Sequence, residues 1–503
     1  MKSVEISADA TRALARAAGR SALWSFAQNS GKHILAFTVF ILLARLLDPQ
    51  AYGLMALATA LIALATVFVE QGFGEALVQR EHVDDAHFCT AFWMNLGAGA
   101  ALAASGWLAA DAAAALLRQP EAAGLIRWLS PLVLILALGS VHQAILQREM
   151  DFKALAVRTL VSISVGGATG VGLAFAGWGV WSLVGQQLAG GLTGLALLWA
   201  SCSWRPRLTF SIARFGELWR FGRHVVGVRL VDFVNRKSDD LIVGYFLGPA
   251  ALGIYNLGYQ MLVVMEQFLC KGFDALALSA FSRLQGNREL LRKALFTAVE
   301  LSALLAFPMF LGAIATAPEL VAALLGERWA PSSRIIQILA CVGMIHAVFH
   351  YNHAVFKACG RPALSLKLGL IEAIFNTAAF LVAVRWGVEA VAAAYAVRAY
   401  LLAPLALSAV RGLIPFETTD YLRRLAIPLL ASVAMMATVV TVKWSVAVYF
   451  EAAVPVLLLV ALGVAAYAAW LRILSPPLFR MVAGYARPAN WRIGGAPSAS
   501  GAV

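Results

Sequence analysis

Runs of about twenty predominantly apolar residues recur along almost the whole chain, each long enough for a helix to cross a hydrocarbon layer about 30 Å thick. They lie near residues 21–44, 51–72, 88–113, 125–146, 157–177 and 180–203, and again near 219–247, 250–276, 294–317, 332–357, 364–384, 387–410, 422–445 and 451–474. The polar stretches between them are short. The pattern predicts an all-α, polytopic membrane protein of about fourteen transmembrane helices.

One span breaks the rule. Residues 225–247 have the length of a crossing yet carry Arg229, Asp232, Arg236, Lys237, Asp239 and Asp240. A charge at the bilayer centre costs about 2.5–3.5 kcal/mol even on insertion scales, so such a set cannot face lipid. At about 100° per residue, Arg229, Asp232, Arg236, Asp239 and Asp240 share one face, and the other face is Val, Leu and Ile. This helix is expected to show its charged face to a wet transport cavity.

Composition agrees with the pattern. The 503 residues are 61% hydrophobic and 13% charged, with a mean hydropathy of +0.77, against about 25% charged in soluble domains. The net charge of +13 comes from basic residues scattered between spans, which the positive-inside bias explains without nucleic acid. Most lie in the loops that are cytoplasmic if the N-terminus is. The opposite loops hold only Arg45, Arg118, Arg127, Arg328, Arg334, Arg385 and Lys443. Both termini are therefore expected in the cytoplasm. Residues 1–20, polar and with Arg12, Arg16 and Arg20 ahead of the first span, read as a cytoplasmic segment without a cleavable signal. The five cysteines are isolated, with no C-x-x-C, so neither zinc nor a disulfide framework is indicated.

The chain repeats itself. Leu23-Trp24-Ser25-Phe26 recurs as Leu218-Trp219-Arg220-Phe221, and Leu47-Asp48-Pro49-Gln50-Ala51-Tyr52-Gly53 as Leu247-Gly248-Pro249-Ala250-Ala251-Leu252-Gly253. Glu70-Gln71 recurs as Glu266-Gln267, Gly72-Phe73 as Gly272-Phe273, and Trp178-Gly179-Val180 as Trp386-Gly387-Val388. Every match falls at the same point of a six-helix unit. An even helix count keeps direction, so two lobes related by a pseudo-twofold along the membrane normal are expected, with substrate between them. The expected parts are an N-lobe at 21–203, a C-lobe at 204–411, two further helices in 412–474 and a cytoplasmic tail at 475–503. No nucleotide loop is present: the glycine that should precede Gly31-Lys32 is replaced by Phe26.

The first hairpin, with Leu23-Trp24-Ser25-Phe26, Leu42-Leu43-Ala44-Arg45-Leu46-Leu47-Asp48-Pro49 and Tyr52-Gly53-Leu54, resembles the Wzx-type polysaccharide flippases of the multidrug/oligosaccharidyl-lipid/polysaccharide exporter superfamily, in the branch found with exopolysaccharide and colanic-acid clusters. Residues 236–244 followed by Leu247-Gly248-Pro249 add to the likeness, which covers roughly 20–475. The resemblance implies flipping of undecaprenyl-pyrophosphate-linked oligosaccharide repeat units across the bacterial inner membrane, without cofactor. It also implies a cationic cavity lined by the first two helices of each lobe. A polysaccharide polymerase and a chain-length regulator are the candidate protein partners.

The substrate-contact candidates are Lys32, Arg229, Arg236, Lys237 and Arg398, because guanidinium and ammonium groups hold diphosphates and acidic sugars. The structural alternative for span 7 is a salt-bridge ladder joining Asp232 to Arg229 and Arg236, and Asp239 or Asp240 to Arg236. Asp232, Asp239, Asp240, Glu70 and Glu266 are the ion-coupling candidates, with Glu300 and Glu372 as further intramembrane acids. His346, His350, His353 and Lys357 share one face of span 10; a polar seam between helices explains them better than a metal site or proton relay. Gly166/Gly170 and Gly190/Gly194 have the spacing of close helix packing.

Two other functions fit the architecture less well. A cation-coupled multidrug exporter would want acids to dominate the cavity, whereas here span 7 is balanced in charge and Lys32, Arg398 and the histidines tilt it positive. A membrane-embedded polymerase or glycosyltransferase would need a large external loop or soluble domain, which the short connections near 114–124 and 318–331 do not provide.

Overall fold

In the computed structural model, residues 31–70, 72–270, 274–450 and 455–485 are described. The described chain is helical: α1 (residues 31–46), α2 (Pro49–Glu70), α3 (Phe73–Gln79), α4 (Asp85–Leu108), α5 (Ala110–Leu116), α6 (Ala122–Leu129), α7 (Pro131–Arg148), α8 (Phe152–Phe175) and α9 (Trp181–Ser201). Then follow α10 (Ile212–Cys270), α11 (Asp274–Leu284), α12 (Arg288–Leu324), α13 (Ser332–Ala358), α14 (Pro362–Ala383), α15 (Val388–Arg411), α16 (Thr418–Phe450), α17 (Val456–Leu474) and α18 (Pro476–Tyr485). Among the described residues, 12 helices are long and apolar enough to cross a membrane. One of these, α10, is two helices joined at Gly248 (φ 83°, ψ 174°), and α1 begins at the edge of the described residues. The observed set is thus compatible with the fourteen spans expected.

Local chemistry places the joints. The Asp48 carboxylate accepts the Ala51 N–H at 2.8 Å and caps α2. At the repeat-related joint Gly248 stands instead, in a left-handed conformation that a side chain would resist. Asp84 caps α4 reciprocally with His87, and Asp151 caps α8.

Contacts group the chain into two units. The first holds residues up to 272 with 321–339 and 361–402; the second holds 273–320, 340–360 and 403–503. In the first unit, Leu43, Leu54, Ala58, Leu125, Leu129 and Val184 form one core. Phe73, Leu77, Phe92, Ala144, Leu155 and Leu218 form another. α8 and α9 meet through small residues: a Cβ on Gly166 would stand 2.7 Å from the Gln186 carbonyl oxygen, and one on Gly190 3.2 Å from that of Ser162. Trp329 is fully buried, its ring edge-on to Tyr52 and its indole N–H donating to the Ala44 carbonyl at 2.7 Å. Burial of such a ring contributes on the order of 2–3 kcal/mol.

In the second unit, α16 and α17 pack on α12 through Leu304, Ala431 and Leu471, then Leu311, Met435 and Ala466, then Ala315, Val439 and Leu459. Tyr467 donates to the Leu304 carbonyl at 2.9 Å. Lys443 pairs with Glu319 at 2.8 Å, and Arg424 with Glu300 at 2.9 Å.

Candidate functional site

The charged stretch lies on the first limb of α10, whose outer part faces α3. Arg229 reaches Glu75 of α3 at 2.8 Å. Both residues line a cavity of about 1020 Å³ with Arg80, Glu217, His224 and Asp232. Gly72 makes this approach possible: it turns the chain into α3 with φ 69°, and a Cβ there would meet Val225 of α10 at 2.7 Å. In the cavity lining Arg80 bonds Glu217, and Arg214 bonds both Asp84 at 2.7 Å and Glu217 at 3.1 Å. Slight burial raises the Asp84 carboxyl, but hydrogen bonds from His87 and the nearby charges outweigh it, and the group is held below its ordinary value.

Two turns further along the helix the environment changes. Asp239 and Asp240 are each only 2% exposed. The kink at Gly248-Pro249 returns the second limb of α10 alongside them. The Tyr255 hydroxyl then donates to Asp239 at 2.8 Å and the Asn256 amide to Asp240 at 3.4 Å. Lys237 closes on Asp240 at 2.6 Å. Arg236, the residue before Lys237, is exposed and has no acid within ion-pair distance among the described residues. The residues thus pair differently from the ladder expected of a straight helix: Asp240 takes Lys237, and Asp239 takes a tyrosine from beyond the kink.

An aromatic column extends this knot. Tyr255 and Tyr259 stack at 6.3 Å, Tyr259 and Tyr395 of α15 lie 6.3 Å apart, and the Arg398 guanidinium sits 4.8 Å over the Tyr395 ring. Arg398 is 7% exposed. Glu266 and Glu372 are close enough to Tyr395 to act on it electrostatically.

The remaining candidates are placed as follows. Lys32 is half-buried in the first described turn of α1, and Glu266 is half-buried in the second limb of α10. The side chains of Glu70 and His353 lie outside the described residues. His346 and His350 are half-buried on α13 and Lys357 is exposed. Glu300 is held by Arg424. Among the described residues no cluster of His, Cys, Asp and Glu has metal-site geometry.

Sequence reasoning missed Glu75, Tyr255, Tyr259, Tyr395 and Arg158. The tyrosines had a legible signal, since Tyr255 and Tyr259 recur at i,i+4 on one face. Glu75 had none, because only the turn at Gly72 aims it at α10.

Comparison with known proteins places this geometry. A model of the family described as polysaccharide biosynthesis protein matches residues 42–334. The succinoglycan biosynthesis transport protein ExoT of Rhizobium meliloti is 28% identical over 73% of this chain and 74% of its own. The lipopolysaccharide biosynthesis protein WzxC of Escherichia coli is 25% identical over 70% and 71%. Among solved structures, the lipid II flippase MurJ in an inward closed conformation matches with a TM-score of 0.76 at 13% identity, covering 92% of this chain and 99% of its own. An inward-facing multidrug transporter of the MATE family matches with a TM-score of 0.58 at 16% identity, covering 76% and 94%. At these identities the structural matches establish a shared fold.

Proposed function

Because the chain belongs to the polysaccharide biosynthesis protein family, we propose that it flips undecaprenyl-pyrophosphate-linked oligosaccharide repeat units across the bacterial inner membrane by alternating access. The observation that carries this reading is the first limb of α10: a membrane-length helix whose Arg220 and Arg229 border a cavity of about 1020 Å³. Arg229, which lines the cavity, and Arg236, farther along the same helix, would hold diphosphate or acidic sugar, since the guanidinium fork matches their oxygens in pairs. Lys32, Lys237 and Arg398 are the further basic candidates.

The moving bodies are the repeat-related lobes, 21–203 and 204–411, with α16 and α17 outside the repeat. Both termini are placed in the cytoplasm in this reading, which the distribution of arginine and lysine supports. A polymerase and a chain-length regulator on the far side would consume the flipped units.

Accumulation against a gradient needs a driving ion whose binding is linked to that of the cargo. Asp239 and Asp240 support such a link: both are buried, Asp240 pairs with Lys237 and Asp239 accepts from Tyr255. Asp232 and Glu266 of α10 and Glu70 of α2 are the other candidates.

Reconstituted vesicles carrying a fluorescent polyprenyl-diphosphate sugar test the proposal. Protein-dependent loss of the dye to an external, membrane-impermeant quencher is expected. If the rate equals that of empty vesicles, while a cationic dye is exported down an imposed ion gradient, the multidrug alternative replaces it.

A further inference from the structure

A second, smaller cavity of about 200 Å³ opens beside the first, between α7, α8, α9 and the first limb of α10. Glu75 and Arg229 belong to both cavities. Its distinguishing residue is Arg158 of α8, which no family resemblance singled out. Among the described residues this guanidinium has one polar partner, the Gln143 side-chain oxygen at 3.2 Å, and its Nε is buried without a partner. The Ser162 hydroxyl beside it is likewise buried and unpartnered. Gly194 makes the room: a Cβ there would stand 2.9 Å from the Ser162 oxygen and 3.2 Å from the Arg158 Nε. A structural arginine in a membrane helix ordinarily brings its own acid, because an uncompensated buried charge is costly. Here no acid lies within ion-pair distance among the described residues, and Arg158 borders a cavity.

The charge count selects the ligand. The cavity is lined by Arg158, Arg229 and Glu75, and two positive charges less one negative leave one positive. Arg229 is already satisfied by Glu75 at 2.8 Å, so the free charge belongs to Arg158. That matches a monoanion such as a carboxylate better than a doubly charged phosphate. Next to Arg158 runs a polar stripe on α7, where Ser140, Gln143 and Gln147 recur at i, i+3 and i+7. Hydroxyl and amide groups in a row suit the hydroxyls of a sugar ring. The volume lies below the roughly 300–1,000 Å³ that drug-sized ligands occupy, enough for one ring and too little for an oligosaccharide.

The geometry points to this cavity as a subsite for one carboxylate-bearing sugar of the cargo, with Arg158 gripping the carboxylate and the α7 stripe the hydroxyls. This assignment rests on the flippase reading and adds that the repeat unit is acidic.

Full-length protein in lipid nanodiscs, probed by saturation-transfer NMR with methyl glucuronide, methyl glucoside and inorganic phosphate, provides the test. Stronger transfer to the glucuronide than to the glucoside is expected. Arg158→Gln should weaken glucuronide binding at least about tenfold, the scale of a lost hydrogen bond to a charged group. Should Arg158→Gln fail to fold, Gln147→Leu, at an exposed position, should still weaken it about fivefold. Equal transfer to both glycosides in the parent, or unchanged glucuronide binding in the variant that folds, overturns the subsite. So does displacement of the glucuronide by equimolar phosphate. Vesicle flipping by the parent separates the two readings: flipping without glucuronide binding removes only the subsite, and binding without flipping removes the transport function.

Discussion

Gly53 lies directly against the backbone carbonyl of Pro249, and its repeat partner Gly253 lies in the same way against that of Pro49. The two contacts are each other's image at an offset of 200 residues (253 − 53, 249 − 49). Each helix of the pair starts with a proline and, four residues on, presents a glycine to the other's first turn. The internal repeat is therefore visible as reciprocal packing of α2 on the second limb of α10, at a distance only glycine permits.

A methyl group at either glycine has no room, since the facing atoms are backbone and cannot rotate away. Gly53→Ala and Gly253→Ala should each destabilise the protein by about 1–3 kcal/mol, the scale of overpacking. The double variant should cost less than the sum, because one backbone shift relieves both clashes. Gly97→Ala in α4, where a Cβ would meet nothing within 4 Å, should be neutral. Thermal unfolding followed by size-exclusion chromatography measures all four; equal stability of Gly53→Ala and Gly97→Ala would contradict the packing.

The pair Lys237–Asp240 makes a second prediction. Lys237→Ala leaves a carboxylate that is 2% exposed without its ammonium, and loss of one partner of a buried pair costs about 3–5 kcal/mol. Removing both, Lys237→Ala with Asp240→Ala, should recover much of that loss. Yield and melting temperature in detergent report it, and a double variant as unstable as the single one would show that the pair is not what holds these limbs.

How far the sequence revealed this structure depends on the range of the interaction. Apolar run length is local, and the spans from 51–72 to 451–474 fall on helices at nearly the expected residues. Asp48-Pro49 and Gly248-Pro249 are equally local and mark real joints. The charged face of α10 was also legible, because helical periodicity alone groups Arg229 with Asp232 and Arg236. The partners were not. A straight-helix ladder assigns Asp239 to Arg236, whereas the kink supplies Tyr255, and α3 supplies Glu75 to Arg229. Arg158 was passed over because it stands near the end of an apolar run, where a snorkelling arginine is unremarkable. Only the tertiary arrangement of Gly194 and Gln143 shows that it turns inward.

Topology is checked by single-cysteine labelling in intact cells. Positions 80, 207 and 288 should react only after the membrane is opened, and positions 118 and 328 from outside. Cys89 and Cys202 are buried and should stay silent, while the half-buried Cys341 and Cys359 are best replaced first. Labelling of position 207 from outside would reverse the proposed orientation.

Arg236 gives the sharpest test of the proposed substrate contacts. Its neighbours Lys237, Asp239 and Asp240 are committed to one another, to Tyr255 and to Asn256, and Arg236 stays exposed with no acid at ion-pair distance among the described residues. Its removal should therefore leave the fold intact, in contrast to removal of Lys237. Arg236→Ala is expected to reach the membrane at parental levels and to lose polymer export by tenfold or more, the scale of a charge-assisted contact of about 1.5–3 kcal/mol. Arg236→Lys keeps the charge and loses the planar fork, so export should fall severalfold even though the net charge is unchanged. Export and membrane abundance measured in the same cells separate the outcomes. Normal export by Arg236→Ala would remove it from the substrate contacts, and reduced abundance would make Arg236 a structural residue despite its exposure.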